Sequence, residues 1–217
     1  MGFTVYDCRE DIRNILVTPQ IRARFCKLEP GTGELDFGHT HDLGHEIFII
    51  LAGRVEFQIS GDVNELGPGQ MCYALVDEPH SVRVISEEPV LMYLSVTPHI
   101  QPTHTMYDGE QNRLPPVFRP SSDYDTETDS TTPVAELIDQ QIENARLLAD
   151  LAQENVRLQE EKGARLKRAL EADDLEEASR LREAMWSPLL ELFKHVQQTA
   201  DGWNALSPRA GSLTAYY

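Results

Sequence analysis

The feature that most constrains this chain is an abrupt change of sequence texture near residue 133. The first 117 residues contain ten of the thirteen glycines, and turn sequences such as PGTG, SGD and GPG separate their short apolar runs. From Pro133 onward glycine is almost absent and helix-forming residues dominate. The chain is therefore expected to contain two parts of different structural class, joined by residues 118–132 as an acidic, flexible linker.

The first part, residues 1–117, is predicted to form a β-sandwich or barrel. Val55, Phe57 and Ile59 alternate with polar residues, which is the pattern of a strand with one buried face. Other short apolar runs follow without an intervening helical pattern, and such chains fold into sandwiches or barrels. Residues 46–52 are apolar on both faces of their predicted strand, so we expect its outer face to be covered.

The later part, residues 133–200, predicts a helical hairpin. Apolar residues recur at helical spacing along residues 138–170 and again along residues 175–196. One hairpin cannot bury stripes of this length on itself. We therefore expect a homodimer, with coiled-coil-like packing of helices from both chains or with the helices laid over the partner barrel. Residues 201–217 are expected to form a disordered tail.

Charge excludes two classes of partner. The chain has 36 acidic and 19 basic residues, for a net charge of −17. A surface this acidic repels phosphate groups, so nucleic acid and anionic membranes are excluded as main partners. The longest strongly apolar run, residues 47–52, is far too short to span a bilayer. The N-terminal residues lack a signal-peptide pattern and the three cysteines are widely spaced, which predicts a cytoplasmic protein with reduced thiols.

Three histidines and one glutamate form the most informative pattern for chemistry. His39 and His41 are two residues apart, so on a strand both side chains point to the same face. A turn at residues 42–44 then leads to Glu46 at the start of the next strand. Such a hairpin places a carboxylate opposite two imidazoles, within reach of one divalent ion. A third imidazole, His80, begins a later strand.

The stretch GELDFGHTHDLGHEIFIILAG, residues 33–53, resembles the first motif of the cupin superfamily. In that motif, five residues lie between a glycine and a His-x-His pair. Four residues then lie between the pair and a glutamate, and six lie between the glutamate and a second glycine. The positions that match are Gly33, His39, His41, Glu46 and Gly53.

The second cupin motif is matched less completely. Gly69 and His80 keep the family's separation, with ten residues between them. Leu75 and Asp77 stand where the family usually has proline and glycine, and Val84 stands where it usually has asparagine. The resemblance spans about residues 20 to 100. It implies a mainly β fold, the cupin double-stranded β-helix or jelly-roll barrel, followed here by the helical extension.

The resemblance also implies a metal site. In cupin register the ligands are His39, His41, Glu46 and His80. Three imidazoles and one carboxylate suit divalent Fe, Mn, Ni, Co, Cu or Zn, and the sequence does not choose among these ions. His45 has the opposite strand parity to Glu46 and is expected to face outward. No catalytic residue beyond the metal ligands is assigned.

Strand parity and the resemblance together predict the residues around a substrate cavity. The candidates are Phe37, Phe48, Ile50, Phe57, Tyr73, Val82, Met92 and His104. This lining is apolar and short of cationic groups. It therefore disfavours a multiply anionic substrate such as a sugar phosphate, and it favours a small, partly apolar or aromatic molecule that carries oxygen.

Two classes of function follow from the resemblance. The first is a metalloenzyme that acts on a small organic molecule, with dioxygenase-like oxidation ahead of isomerase or lyase chemistry. The alternative is a non-catalytic module that binds a metal or a small ligand and uses its helical region for oligomerisation or for docking a partner. Cupins include both classes, so the fold alone does not decide between them.

Overall fold

In this computed structural model, which describes residues 2–210, ten antiparallel strands build two five-stranded sheets. The strands are β1 (Asn14–Thr18), β2 (Ile21–Leu28), β3 (His39–Thr40), β4 (His45–Ala52), β5 (Val55–Ile59), β6 (Asp62–Leu66), β7 (Met71–Ala74), β8 (His80–Val84), β9 (Val90–Thr97) and β10 (Thr105–Met106). One sheet has the order β1-β2-β9-β4-β7 and the other has the order β10-β3-β8-β5-β6. The predicted jelly-roll fold is confirmed.

The apolar core lies where the inward faces of the two sheets meet. Phe48 and Ile50 on β4 are buried, and so are Val55 and Phe57 on β5. The alternation expected for β5 is therefore present in the structure. Burial of each of these large side chains stabilises the fold by about 1.5–3 kcal/mol.

The outer face of β4 is more open than its doubly apolar sequence predicted. Leu51 is exposed on β4, and Met71 and Tyr73 are exposed on the neighbouring β7. Tyr73 pairs with Ile47 in the strand register, so these side chains form one apolar patch on the outside of the first sheet.

The expected flexible linker begins with a structured segment. Residues Ser121–Tyr124 form a 3₁₀ turn in which Tyr124 is buried. The Arg119 amide donates to Gln101 Oε1 at 2.8 Å, and the Asn14 amide donates to Asp125 Oδ2 at 2.8 Å. The barrel unit consequently runs to Asp129 rather than to residue 117, because the aromatic ring and these hydrogen bonds hold the chain to the barrel.

The second unit, residues Ser130–Leu206, contains helices α1 (Val134–Glu171) and α2 (Leu175–Leu206). The predicted helical extension is confirmed. Near the turn between the helices, Ala169, Ala178 and Leu181 form a small buried cluster. Many other apolar side chains of the two helices remain exposed: Ile138, Ile142, Leu147, Val156, Leu170, Leu175, Trp186, Phe193 and Val196. Neither helix is long and apolar enough to cross a lipid bilayer.

The C-terminal end of α2 differs from the expected boundary. Residues 201–206 continue the helix and Ser207–Arg209 form a 3₁₀ turn, whereas a disordered tail was expected from residue 201. Ala200 and Leu206 are buried, which stabilises this last part of the helix. The remainder of the expected tail, residues 211–217, lies outside the described residues.

Candidate functional site

The structure brings the four predicted ligands together at one end of the barrel core. His39 lies on β3, His41 follows it, Glu46 lies on β4 and His80 opens β8. One potential ligand atom from each of the four lies within 4.8 Å of the others. His41, Glu46 and His80 are at most 3% exposed, whereas the side chain of His39 is 28% exposed. The cluster is therefore a candidate metal site that is closed on its inner side.

The donor atoms converge on one carboxylate oxygen. Glu46 Oε2 lies 2.7 Å from His41 Nε2, 2.9 Å from His80 Nε2 and 3.8 Å from His39 Nε2. Around an ion with metal–ligand bonds of about 2.1 Å, adjacent ligands lie ~3 Å apart and opposite ligands lie ~4.2 Å apart. The observed spacings are close to those of ligands that share one ion.

Backbone carbonyls orient two of the imidazoles. His80 Nδ1 donates to the Glu78 carbonyl at 2.9 Å, and His41 Nδ1 donates to the Thr103 carbonyl. Because a carbonyl only accepts hydrogen bonds, each Nδ1 carries a proton, and in the neutral ring Nε2 presents a lone pair. A lone pair that faces a carboxylate oxygen is repelled unless a proton or a metal ion lies between them. The geometry therefore fits a cation held by both rings and Glu46.

The charge state of the cluster suits the same assignment. Burial raises the pKa of Glu46. Where protons take the place of an ion, the surrounding imidazoles donate hydrogen bonds to the carboxylate, and these outweigh burial and hold the pKa of Glu46 well below its usual value. Burial lowers the pKa of His39 and so favours the neutral, metal-binding form of that ring. Burial also opposes protonation of His80, but its contact with Glu46 prevails and raises the pKa of His80. Glu46 is thus an ionised ligand at neutral pH.

A close backbone approach places His39 beside His80. The two residues pair directly in the register of β3 and β8. Gly38, just before β3, has a φ of 68°, and a Cβ there would lie 1.9 Å from the His80 carbonyl oxygen. Only glycine permits both the positive φ and this approach. The residue before the His-x-His pair therefore sets the separation between two of the candidate ligands.

The turn before His80, which departs from the cupin motif, contains an aspartate with positive φ. Asp77, where the family usually has glycine, has a φ of 64°. Aspartate enters this left-handed region more readily than most residues. The Asp77 amide also donates to the His41 carbonyl at 3.0 Å, which ties the turn to the candidate metal site.

A cavity of about 530 Å³ opens from the candidate metal site. Five of the eight predicted cavity residues line it: Phe48, Phe57, Val82, Met92 and His104. The other three lie elsewhere. Ile50 is fully buried in the barrel core, Phe37 packs its ring at 4.8 Å from that of Tyr107, and Tyr73 points outward on β7. Alternation along β7 directs Cys72 and Ala74 inward instead of Tyr73.

The expectation of a lining short of cationic groups is wrong, because Arg22, Arg24 and Arg119 all line the cavity. Arg22 is 5% exposed, and its Nη2 lies 3.9 Å from Glu46 Oε1. The signal was present in β2, since Arg22 and Arg24 share the strand face of Cys26, a residue type that is usually buried.

His104 lies next to the cluster without belonging to it. Its ring centroid is 4.8 Å from those of both His39 and His41. Its Nδ1 is 2.7 Å from Thr103 Oγ1, and burial holds its pKa well below the usual value, so the ring is neutral. His104 therefore presents an uncharged imidazole at the cavity beside the candidate ligands.

A family model supports the assignment of the barrel. Residues 24–97 match the family model of the cupin domain. A double-stranded β-helix protein from Klebsiella pneumoniae is 20% identical, with 45% of this chain and 91% of that chain covered and a TM-score of 0.41. KdgF from Halomonas is 22% identical, with 40% and 78% covered and a TM-score of 0.36. No curated protein gave a significant match.

Proposed function

We propose that this chain, in which residues 24–97 form a cupin domain, is a metalloenzyme that acts on a small organic molecule. The observation that carries the proposal is the shared orientation of His41 and His80. Each ring is anchored through Nδ1 on a backbone carbonyl and turns Nε2 toward Glu46, next to an open cavity. Three imidazoles and a carboxylate in this arrangement hold one divalent transition ion.

A bound ion supplies Lewis acidity, and if it is redox-active it also supplies electron transfer to dioxygen. The protein residues prepare the site for that chemistry. Glu46 contributes a negative charge that its contacts with the neighbouring imidazoles keep ionised despite its burial, and the carbonyls of Glu78 and Thr103 hold two rings in their ligating tautomer. Phe48 and Phe57 form part of the cavity wall and limit the access of water to the reacting centre.

Within this class we place dioxygen-dependent oxidation first, ahead of isomerase and lyase chemistry. A six-coordinate ion held by four protein ligands keeps two positions for other molecules, and oxidation by dioxygen requires room for substrate and oxygen together. The partly exposed side of the cluster at His39 faces the cavity, where both have access. The cavity volume of about 530 Å³ lies within the range of small-molecule sites.

The alternative function is a binding module in which the helical region assembles the protein or docks a partner. The observation that favours it is the number of exposed apolar side chains on α1 and α2, including Val156, Trp186 and Phe193. Exposed apolar patches of this kind mark interfaces. We propose that the partner is a second copy of this chain. A second copy could bury both the exposed apolar residues of the helices and the apolar patch around Leu51, Met71 and Tyr73.

Metal content and oxygen consumption together test the proposal. Protein purified without a histidine tag should contain close to one transition-metal ion per chain when measured by elemental analysis. An oxygen electrode should then detect substrate-dependent uptake with a panel of small organic acids, phenols and diols. Metal without turnover of any kind favours the binding module, and absence of metal after reconstitution with each candidate ion contradicts the metalloenzyme.

A further inference from the structure

We infer that the cavity selects a small organic monocarboxylate, whose carboxylate is bound by Arg22 and Arg24 beside the four candidate metal ligands. This inference rests on the proposed function for the nature of the site, but it concerns residues outside the metal ligands. It also reverses the sequence-based expectation that the cavity is short of cations.

Both arginines reach the cavity from one face of β2. They are two residues apart on the strand, so their side chains point the same way, and both line the cavity. Arg22 is 5% exposed and its guanidinium lies 5.5 Å from the ring of Tyr124, which covers one side of it. Its Nη2 reaches Glu46 only at 3.9 Å, at the limit of an ion pair.

The two guanidinium groups contain buried donors without acceptors. Arg22 Nε and Arg24 Nε are both shielded from solvent, and neither has a hydrogen-bond partner among the described residues. A buried, unsatisfied donor on a charged group is costly, so native proteins retain it mainly where a ligand or an ordered water supplies the acceptor. A carboxylate supplies two acceptor oxygens in the geometry that a guanidinium recognises.

The charges around the cavity favour a monoanion over a phosphate. Three arginines and four carboxylates line the cavity, namely Arg22, Arg24, Arg119, Glu34, Asp36, Glu46 and Asp123. With neutral histidines and one divalent ion, the lining carries a single excess positive charge. A monocarboxylate neutralises that charge, whereas a phosphate dianion leaves an uncompensated negative charge in a partly buried site.

The rest of the cavity lining is suited to the apolar part of such a ligand. Phe48, Phe57 and Met92 contribute walls close to the cluster, and Leu28 and Leu94 line the β2–β9 side with the arginines. A ligand with its carboxylate at Arg22 and Arg24 therefore places a hydrocarbon or aromatic group against these side chains.

Calorimetric titration with matched probes tests the inference. The probes are acetate, pivalate and benzoate, their uncharged amides, and phenyl phosphate, titrated into full-length protein in zinc-loaded and in metal-free form. The variants are Arg24→Gln, Arg24→Lys, Arg22→Lys and, as a control, Arg83→Gln, since Arg83 lies on β8 and pairs with Glu56 outside the cavity. Metal content and thermal unfolding are measured for each variant.

We expect at least one carboxylate to bind tenfold or more tightly than its amide and more tightly than phenyl phosphate. Arg24→Gln should reduce that affinity at least tenfold with metal content unchanged, because charge-assisted hydrogen bonds have at least this effect. Both lysine variants should retain part of the affinity, and Arg83→Gln should retain all of it. Equal affinity for every acid and its amide, or full carboxylate affinity in a folded Arg24→Gln variant, overturns the inference. Arg24-dependent carboxylate binding in a protein that takes up no metal supports this inference while contradicting the proposed function.

Discussion

His41 Nε2 lies 2.7 Å from Glu46 Oε2, at the centre of a site where both residues are almost completely buried. The short loop between β3 and β4 sets this distance, since the two residues are only five positions apart. A buried carboxylate that faces imidazole lone pairs is stable when a cation lies between them.

Loss of either central ligand should remove the metal. His41→Ala and Glu46→Ala each delete one donor of a four-residue set, and we expect metal occupancy below one tenth of the wild-type value by elemental analysis. His45→Ala is the matched control, because His45 is exposed next to Glu46 and should leave occupancy unchanged. Full occupancy in a folded His39→Ala/His41→Ala double variant would contradict the assignment.

Acid should displace the metal. Ligating imidazoles must be unprotonated, so protons compete with the ion as the pH falls through the ordinary histidine pKa of about 6.5. Contact with Glu46 raises the pKa of His80 in the metal-free protein, so the affinity should begin to fall above that pH. Equilibrium dialysis against zinc buffers between pH 8 and pH 5 measures the effect. Affinity that is constant over this range would show that these histidines do not bind the ion.

Metal removal should lower thermal stability. An ion that binds only the folded state stabilises it by about 2.7 kcal/mol when its free concentration is 100 times the dissociation constant. Unfolding of the barrel should therefore shift to lower temperature after chelation and return after zinc is restored. Differential scanning calorimetry of chelated and reloaded samples tests this, and Glu46→Ala should show no response to zinc.

Gly38→Ala should disrupt the site more than a comparable substitution elsewhere. An alanine at Gly38 imposes a strained positive φ and places its Cβ against the His80 carbonyl, so β3 must move away from β8. Gly61 also has a positive φ, but a Cβ there meets no atom within 4 Å. We expect Gly61→Ala to cost ~1 kcal/mol of unfolding free energy, and we expect Gly38→Ala to cost more and to reduce metal affinity. Equal effects of the two variants on metal affinity would show that the close approach of Gly38 to His80 does not set the ligand geometry.

The full-length chain should be a dimer at micromolar concentration. Val156→Glu and Phe193→Glu each place a charge on an exposed apolar position of a helix, and multi-angle light scattering should show a shift toward monomer. Gln197→Glu is the control, because it adds the same charge at an exposed polar position of α2. A strictly monomeric wild-type chain would rule out the homodimer.

The four candidate metal ligands are the part of the site that could be predicted from the sequence. The local spacing of His39, His41 and Glu46 predicted a carboxylate opposite two imidazoles across a hairpin, and the cupin resemblance implied the full ligand set with His80. The barrel class and the helical extension were predicted in the same way, from the local periodicity of apolar residues and from the turn residues. Tyr73 was misplaced because parity within one strand does not say which of its two faces is the inner one.

The arginine face of the cavity was decided only by tertiary structure. Arg22 and Arg24 lie 17 and 15 positions before His39, the first candidate ligand, and they meet the ligand cluster because β2 pairs with β9, which pairs with β4. Tyr124 reaches Arg22 from a segment whose polar composition predicted a flexible linker. Contacts of this kind depend on long-range strand pairing and on the burial it produces. By itself the sequence determined which residues share a strand face, and the packed barrel determined which of those faces surround the candidate metal ligands.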